Sequence, residues 1–287
     1  MSASNPRPVT ADGHPLTDGG RDPRDPMNPW PQLAQEQHDD DHDQQDHDHT
    51  TTDVDAVGEH AEHAATVPRR VDYQAGLPER MRALPVDEAG RPVPKFVEWV
   101  DGKPDFRLMS GRFLRRCVME HLCWVCGVKM GRFSAFTAGP MCLVNLNSAE
   151  PPSHYECARY SALHCPFLIN PNKVRREAHL PDGRVDPAGV MIRRNPGVTA
   201  VIVCTSWTAY RDGAGVLFNI GTKRLGGPAD SIDRVEFYRE SRPATRAEIL
   251  ESIESGIPLL AETCDGDPAC LAYLDAQVEG AMKWLPA

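Results

Sequence analysis

No apolar run in this chain of 287 residues approaches the roughly eighteen that a membrane-spanning helix needs. The opening MSASNPRPVT has neither a basic n-region nor an apolar h-region, so no secretory leader is expected. The first 116 residues hold no cysteine, although the chain has nine. An odd number of cysteines without a leader favours reduced thiols in a cytoplasm over a disulfide framework. Histidine is scarce beyond residue 76, where only His121, His154, His164 and His179 occur. The segment after residue 195 lacks a glycine-rich phosphate loop, a Ser/His/Asp set and paired carboxylates. A hidden catalytic histidine therefore has few places to be.

Charge is unevenly spread. Residues 1–76 carry 5 basic and 16 acidic side chains, whereas residues 77–287 carry 26 and 25. The acidity belongs to the first segment, and the remainder is close to neutral. The overall pI of 5.5 is thus no argument against a nucleic-acid partner. Residues 1–76 are rich in Pro, Asp, Gln and His and show no sustained period, which reads as a disordered tail. Within it, His38, His42, His47 and His49 alternate with Asp, a pattern that suits a solvated acidic tail or loose, unselective metal binding.

From about residue 77 the chain reads as globular, with a first domain over 77–180 and a second over 195–287. Phe96–Val100 and Lys103–Met109 flank Asp101-Gly102, a strong signal for a two-residue hairpin turn, and Pro104 marks an edge strand. Ser110 is placed to cap a helix running to about Leu122, with Phe113, Leu114, Cys117, Val118 and His121 on its apolar face. Cys123-Trp-Val-Cys126 with Gly127 then reads as a metal knuckle. Two thiolates three positions apart grip one ion from a tight turn, and the glycine gives the turn its backbone freedom. Farther on, Ser153 and Glu156 have the spacing of a capping box, which would put His154 and Cys157 in the first turn of a helix. Cys123, Cys126, His154 and Cys157 make a closed tetrahedral donor set, the pattern of one structural zinc ion per chain. Cys165 lies roughly 16 Å beyond His154 if the helix is continuous. With His164 and Cys142 it is a candidate for a second metal site, or these residues are substitute ligands or core.

Between knuckle and helix, Phe133–Phe136 and Met141–Val144 read as two short strands around Gly139-Pro140. Knuckle, hairpin and helix in that order resemble the treble-clef zinc fold over residues 121–167. The resemblance implies that Cys123, Cys126, His154 and Cys157 share one zinc. HNH-type nucleases share this topology and place a catalytic histidine in the hairpin, but residues 127–153 contain none. A thioredoxin-like dithiol would follow a strand, whereas CWVCG follows a helix. Over about 80–287 the chain also resembles a set of small uncharacterised proteins of high-GC bacteria and their phages that pair CWVCG, GPMC, EPPSH and CPF with ATRAEILESIESG. That resemblance implies domain limits and no activity.

In the second domain, Val198–Trp207, Val216–Ile220 and Arg234–Tyr238 read as a small antiparallel meander with a turn at Tyr210–Gly215. Thr245 and Glu248 make a capping box for a helix that Pro258 is expected to break. Asp267-Pro268 opens a last helix, whose stripe of Leu271, Leu274, Val278 and Met282 is expected on the sheet. The fold class is α+β: a treble-clef-like zinc module plus a small antiparallel sheet packed with helices. The expected role is that of a zinc-stabilised binding protein of phage or mobile-element type, with DNA, RNA or a protein as partner. Arg115, Arg116, Lys173, Arg175 and Arg176 are candidate phosphate contacts. The competing expectation is a zinc-dependent hydrolase or nuclease using His121 or His164.

Overall fold

A computed structural model describes residues 71–176, 178, 180, 188–189, 193–212, 215–223 and 229–287. The His/Asp tract, His179 and the 181–187 loop lie outside these residues.

A 3-10 turn at Glu79–Met81 leads to the hairpin β1 (Val97–Val100) and β2 (Lys103–Met109). Asp101 and Gly102 both take positive φ, as a two-residue turn requires. Ser110 caps α1 (Gly111–Glu120), its side chain accepting from the Phe113 N–H. The chain then forms the knuckle, β3 (Ser134–Ala138), α2 (Pro140–Val144), β4 (Asn147–Ser148) and α3 (Tyr155–His164). It continues through β5 (Thr199–Cys204), β6 (Trp207–Asp212), β7 (Gly215–Ile220), β8 (Ile232–Arg239), β9 (Arg242–Pro243), α4 (Arg246–Glu262) and α5 (Pro268–Met282). The architecture is α+β with antiparallel sheets.

The strands do not form one meander. One sheet has the order β3-β5-β8-β9 and another β4-β7-β6, both antiparallel throughout. The apolar run 198–207 is two strands, because the chain leaves one sheet after Cys204 and enters the other at Trp207. Tyr210–Asp212, expected in a turn, completes β6. The partner of β3 is β5, so strands assigned by sequence to separate domains are hydrogen-bonded neighbours, from Ser134 opposite Cys204 to Ala138 opposite Ala200.

β5 is the most buried element, and its alternation serves two cores. Val201 and Val203 pack with Ala158 and Ala162 of α3, while Ala200, Ile202 and Cys204 face the main core with Phe136, Leu143 and Ile249. Trp207 ties the two sheets together, its indole N–H donating to the Ser134 hydroxyl at 3.2 Å.

Three local expectations fail for identifiable reasons. Met141–Val144 is helical, not a strand: Pro140 sits at the first helical position behind Gly139, and Met141, Leu143 and Val144 are buried together. Pro258 lies inside α4, which continues to Glu262. The stripe of α5 packs chiefly against α2 and α4 rather than on a sheet. The approach of α4 to α2 depends on Gly256, where a Cβ would lie 2.5 Å from the Met141 side chain. Cys264 and Cys270, at the turn between α4 and α5, form a disulfide, so the reduced-thiol expectation does not hold for this pair.

Candidate metal centre

The knuckle is built from backbone first. The Cys123 N–H donates to the Val128 carbonyl and the Gly127 N–H to the Cys123 carbonyl, both at 2.9 Å. Gly127 takes φ +75°, so the freedom that the sequence assigns to it is used. Its open side is already occupied, since a Cβ there would meet Lys95 Cγ at 3.0 Å. Between the two cysteines, Trp124 is buried and stacks on Phe96 at 4.8 Å and on Phe113 at 5.7 Å. That aromatic stack fixes the knuckle to the residue before β1 and to α1.

The second pair of donors arrives differently from the sequence expectation. His154, not Ser153, is the N-cap of α3, and no side-chain cap bond forms. Ser153 is held by backbone pairing with Ala135 of β3. The Glu156 carboxylate, the other half of the expected capping box, turns instead to Arg80 Nε at 2.7 Å. The outcome is nonetheless the expected cluster. One donor atom from each of Cys123, Cys126, His154 and Cys157 lies within 4.8 Å of the others. Donors around a tetrahedral zinc, with bonds of about 2.3 Å to sulfur and about 2.0 Å to nitrogen, stand roughly 3.5–3.8 Å apart. The donor set suits such an ion, with a spacing up to about 1 Å wider than the bonded one. All four residues are buried, with exposures of 0, 5, 5 and 0 % in chain order.

The electrostatics carry the same message. The Cys126 N–H and the His154 N–H both donate to Cys123 Sγ, at 3.4 and 3.3 Å. Burial opposes ionisation of Cys123, but hydrogen bonds from Cys126, Cys157 and His154 outweigh it and hold this thiol far below its ordinary range. Cys157 moves the other way, because its contacts with Cys123 and Cys126, and then burial, keep its proton on. Three crowded sulfurs thus share charge poorly by themselves, and a dication would neutralise the repulsion between thiolates.

His154 Nδ1 lies 3.4 Å from Cys126 Sγ, facing the cluster. Its Nε2 lies 3.2 Å from the Lys129 carbonyl and 2.8 Å from Arg80 Nη1. With Nδ1 as a metal ligand, Nε2 carries the proton and donates to Lys129, the outer bond that orients a ligating imidazole. Arg80, which can only donate, would then turn Nη1 away from the protonated Nε2 and keep its ion pair with Glu156. Lys129 and Arg80 were not legible as parts of the site. The knuckle places the first through a backbone carbonyl, and the second comes from 74 residues away.

The candidates for a second site do not converge. Among the described residues, the cluster above is the one group of His, Cys, Asp and Glu that gathers this closely. His164 stacks on Tyr160 at 4.2 Å, and its Nδ1 reaches the Tyr160 carbonyl at 3.1 Å. Cys165 is the residue after the last turn of α3, and Cys142 is half-buried against the main core, its thiol pushed up to about 11 by burial and by Glu150. His121 leaves the apolar face of α1, since it ends the helix at φ +60° and rests against the edge of Trp207.

The basic candidates divide. Arg116 pairs with Glu120 at 2.7 Å, and Arg175 donates to the Arg107 carbonyl at 2.6 Å. Lys173 and Arg176 are exposed, Arg115 is half-exposed, and none of the three has an ion-pair partner among the described residues. Lys173 and Arg176 lie on the strand-like segment after α3, and Arg115 lies on α1.

Among the described residues no helix is long and apolar enough to cross a membrane. Comparison with known protein families, with curated proteins and with solved structures finds no match.

Proposed function

We propose that this chain is a binding protein stabilised by one structural zinc ion, and that its partner is nucleic acid. The observation that carries the metal reading is the burial of four converging donors of types Cys, Cys, His and Cys. Cys123, Cys126, His154 and Cys157 would hold the ion, which supplies a cross-link between the knuckle and α3. Four protein donors complete a tetrahedral shell and leave no position for water, which favours a structural over a hydrolytic role. His121 and His164, the residues on which a hydrolase would depend, both lie outside the cluster. The treble-clef reading rests on the knuckle and α3, which bring the four donors together. The intervening hairpin is replaced, because β3 pairs with β5 and the expected second strand is α2.

The nucleic-acid reading is supported by Lys173, Arg176 and Arg115, whose cations are unpaired among the described residues, and the near-neutral charge of residues 77–287 does not oppose it. A protein partner in a phage or mobile-element setting is the second reading, and it rests on the resemblance of the motifs alone. The test is fluorescence anisotropy of the full chain with a short labelled DNA and a short labelled RNA over a range of salt. Binding that weakens steeply with salt, with a slope reduced by about one in each of Lys173→Ala and Arg176→Ala, is expected. No binding at low salt, or binding indifferent to both substitutions, contradicts this reading and leaves the protein partner.

A further inference from the structure

One cleft of the described structure lies away from the metal centre. It has a volume of about 450 Å³ and opens where three parts of the chain meet: the link from α2 to β4, the β6–β7 hairpin, and the turn from α4 to α5. None of the four metal donors lines it. The volume is in the range of small-molecule sites.

Its lining is unusual in chemistry. Not one Lys, Arg, His, Asp or Glu contributes. The polar groups are carboxamides and hydroxyls, notably those of Asn145, Asn147, Asn219, Gln277, Tyr210 and Tyr273. Part of this set is a rigid floor. The Tyr210 hydroxyl donates to Asn147 Oδ1 at 2.8 Å, and Asn219 Nδ2 donates to the Leu146 carbonyl at 3.1 Å and to Asn147 Oδ1 at 3.3 Å. Asn219 Oδ1 in turn accepts from the Thr222 hydroxyl at 2.9 Å. At the centre of this floor Leu146 holds φ +56°, a conformation uncommon for a residue with a branched side chain. Its carbonyl also accepts from the Ile220 N–H at 2.7 Å, which pins it there. Strained backbone that is over-determined by its neighbours is a recurrent mark of ligand sites.

The rest of the set is unspent. The two N–H groups of the Asn145 carboxamide, the whole Gln277 carboxamide and the Tyr273 hydroxyl have no hydrogen-bond partner among the described residues. Tyr273 lines the cleft and is 65 % exposed, which leaves its ring open to solvent among the described residues. Fixed amides below, a free amide with paired donor and acceptor at the side, and an exposed aromatic ring at the mouth describe a site for an uncharged planar ring.

We propose that this cleft binds a nucleobase. A carboxamide presents adjacent donor and acceptor atoms that match the edge of a base, as Asn and Gln do with adenine, and Tyr rings stack on base faces. The missing cations say which part of a nucleotide sits inside: the base and its sugar, with phosphate left outside in water. The base has two possible sources, a free nucleoside or one base of a single strand. The site stands apart from the metal centre and does not depend on it.

The experiment is saturation-transfer NMR and calorimetry on the full chain. The probes are adenosine, guanosine, cytidine and uridine, a single-stranded oligonucleotide, and glucose and N-acetylglucosamine. Expected is binding of at least one nucleoside, weakened at least tenfold by Gln277→Ala and by Tyr273→Ala. Both side chains are at least partly exposed, and an unchanged circular dichroism spectrum confirms that the variants fold. If the oligonucleotide binds more tightly than its nucleosides and suffers the same losses, the source is a strand. If it binds no better, the source is a free nucleoside. Binding of the sugars alone, binding of no probe, or nucleoside binding indifferent to both substitutions overturns the proposal.

Discussion

The backbone N–H of His154 donates to the Sγ of Cys123, 31 positions earlier, at 3.3 Å. One contact thus joins the knuckle to the N-cap of α3 before any side-chain nitrogen is considered. It also means that moving the helix start moves the charge on Cys123. The bond is a main-chain one, so its strength is tested through the turn that presents the sulfur. Gly127→Ala forces a Cβ against Lys95 and an unfavourable φ on the knuckle. A loss of about 1–3 kcal/mol is expected, read as a lower midpoint in urea.

Trp207→Ala removes the indole that donates to Ser134 and touches both His121 and Phe218. This residue joins two sheets, so the expected cost is about 3–5 kcal/mol by chemical denaturation. Trp207→Phe keeps most of the packing and loses the hydrogen bond, and a cost of about 1–2 kcal/mol is expected.

At the start of α4, Thr245 accepts from the Glu248 N–H while Glu248 accepts from the Thr245 N–H at 2.8 Å. Thr245→Ala is expected to cost about 1 kcal/mol. Hydrogen bonds from Arg242, and then from the Thr245 backbone, hold the Glu248 carboxyl down at about 2, against an ordinary 4.5. A depressed carboxylate stabilises the fold above its unfolded value and loses that contribution as pH falls through the folded one. The difference in stability between the native chain and Glu248→Gln is therefore expected in full at pH 7 and to shrink between pH 4.5 and 2. Urea midpoints measured across that window check it.

The Cys264–Cys270 disulfide closes a loop of sequence separation 6 between α4 and α5. A loop that short restricts the unfolded chain by about 2 kcal/mol. Cys264→Ser with Cys270→Ser is expected to lower stability by about that amount in oxidising buffer and to have no effect once the native chain is reduced.

Much of the fold was legible where a local signal agrees with its surroundings. Ser110, Thr245 and Asp267 cap the helices that their positions announce, and Asp101-Gly102 turns the hairpin. What was not legible is set by packing at long range. Met141–Val144 has the composition of a strand, but Pro140 before it and the close approach of Gly256 make it a helix. The run 198–207 has no internal break signal, because the switch between sheets follows from the pairing of β3 with β5, 60 residues apart and more. At the metal centre the donors follow from their spacing and type. Arg80 does not, since nothing local marks an arginine in a 3-10 turn as a neighbour of His154. The amide-lined cleft was invisible for the same reason: its polar residues come from separate segments, each of which reads as ordinary surface.

The central claim is that Cys123, Cys126, His154 and Cys157 hold one zinc ion that the fold needs. Native mass spectrometry of freshly reduced full chain tests it most directly, with His14, His38, His42, His47, His49, His60 and His63 replaced by Ala so that no tail histidine can contribute. One zinc per chain is expected, lost in Cys126→Ser and in Cys157→Ser together with more than about 4 kcal/mol of stability. A chain that folds fully without metal, or that keeps its zinc in both variants, contradicts the account.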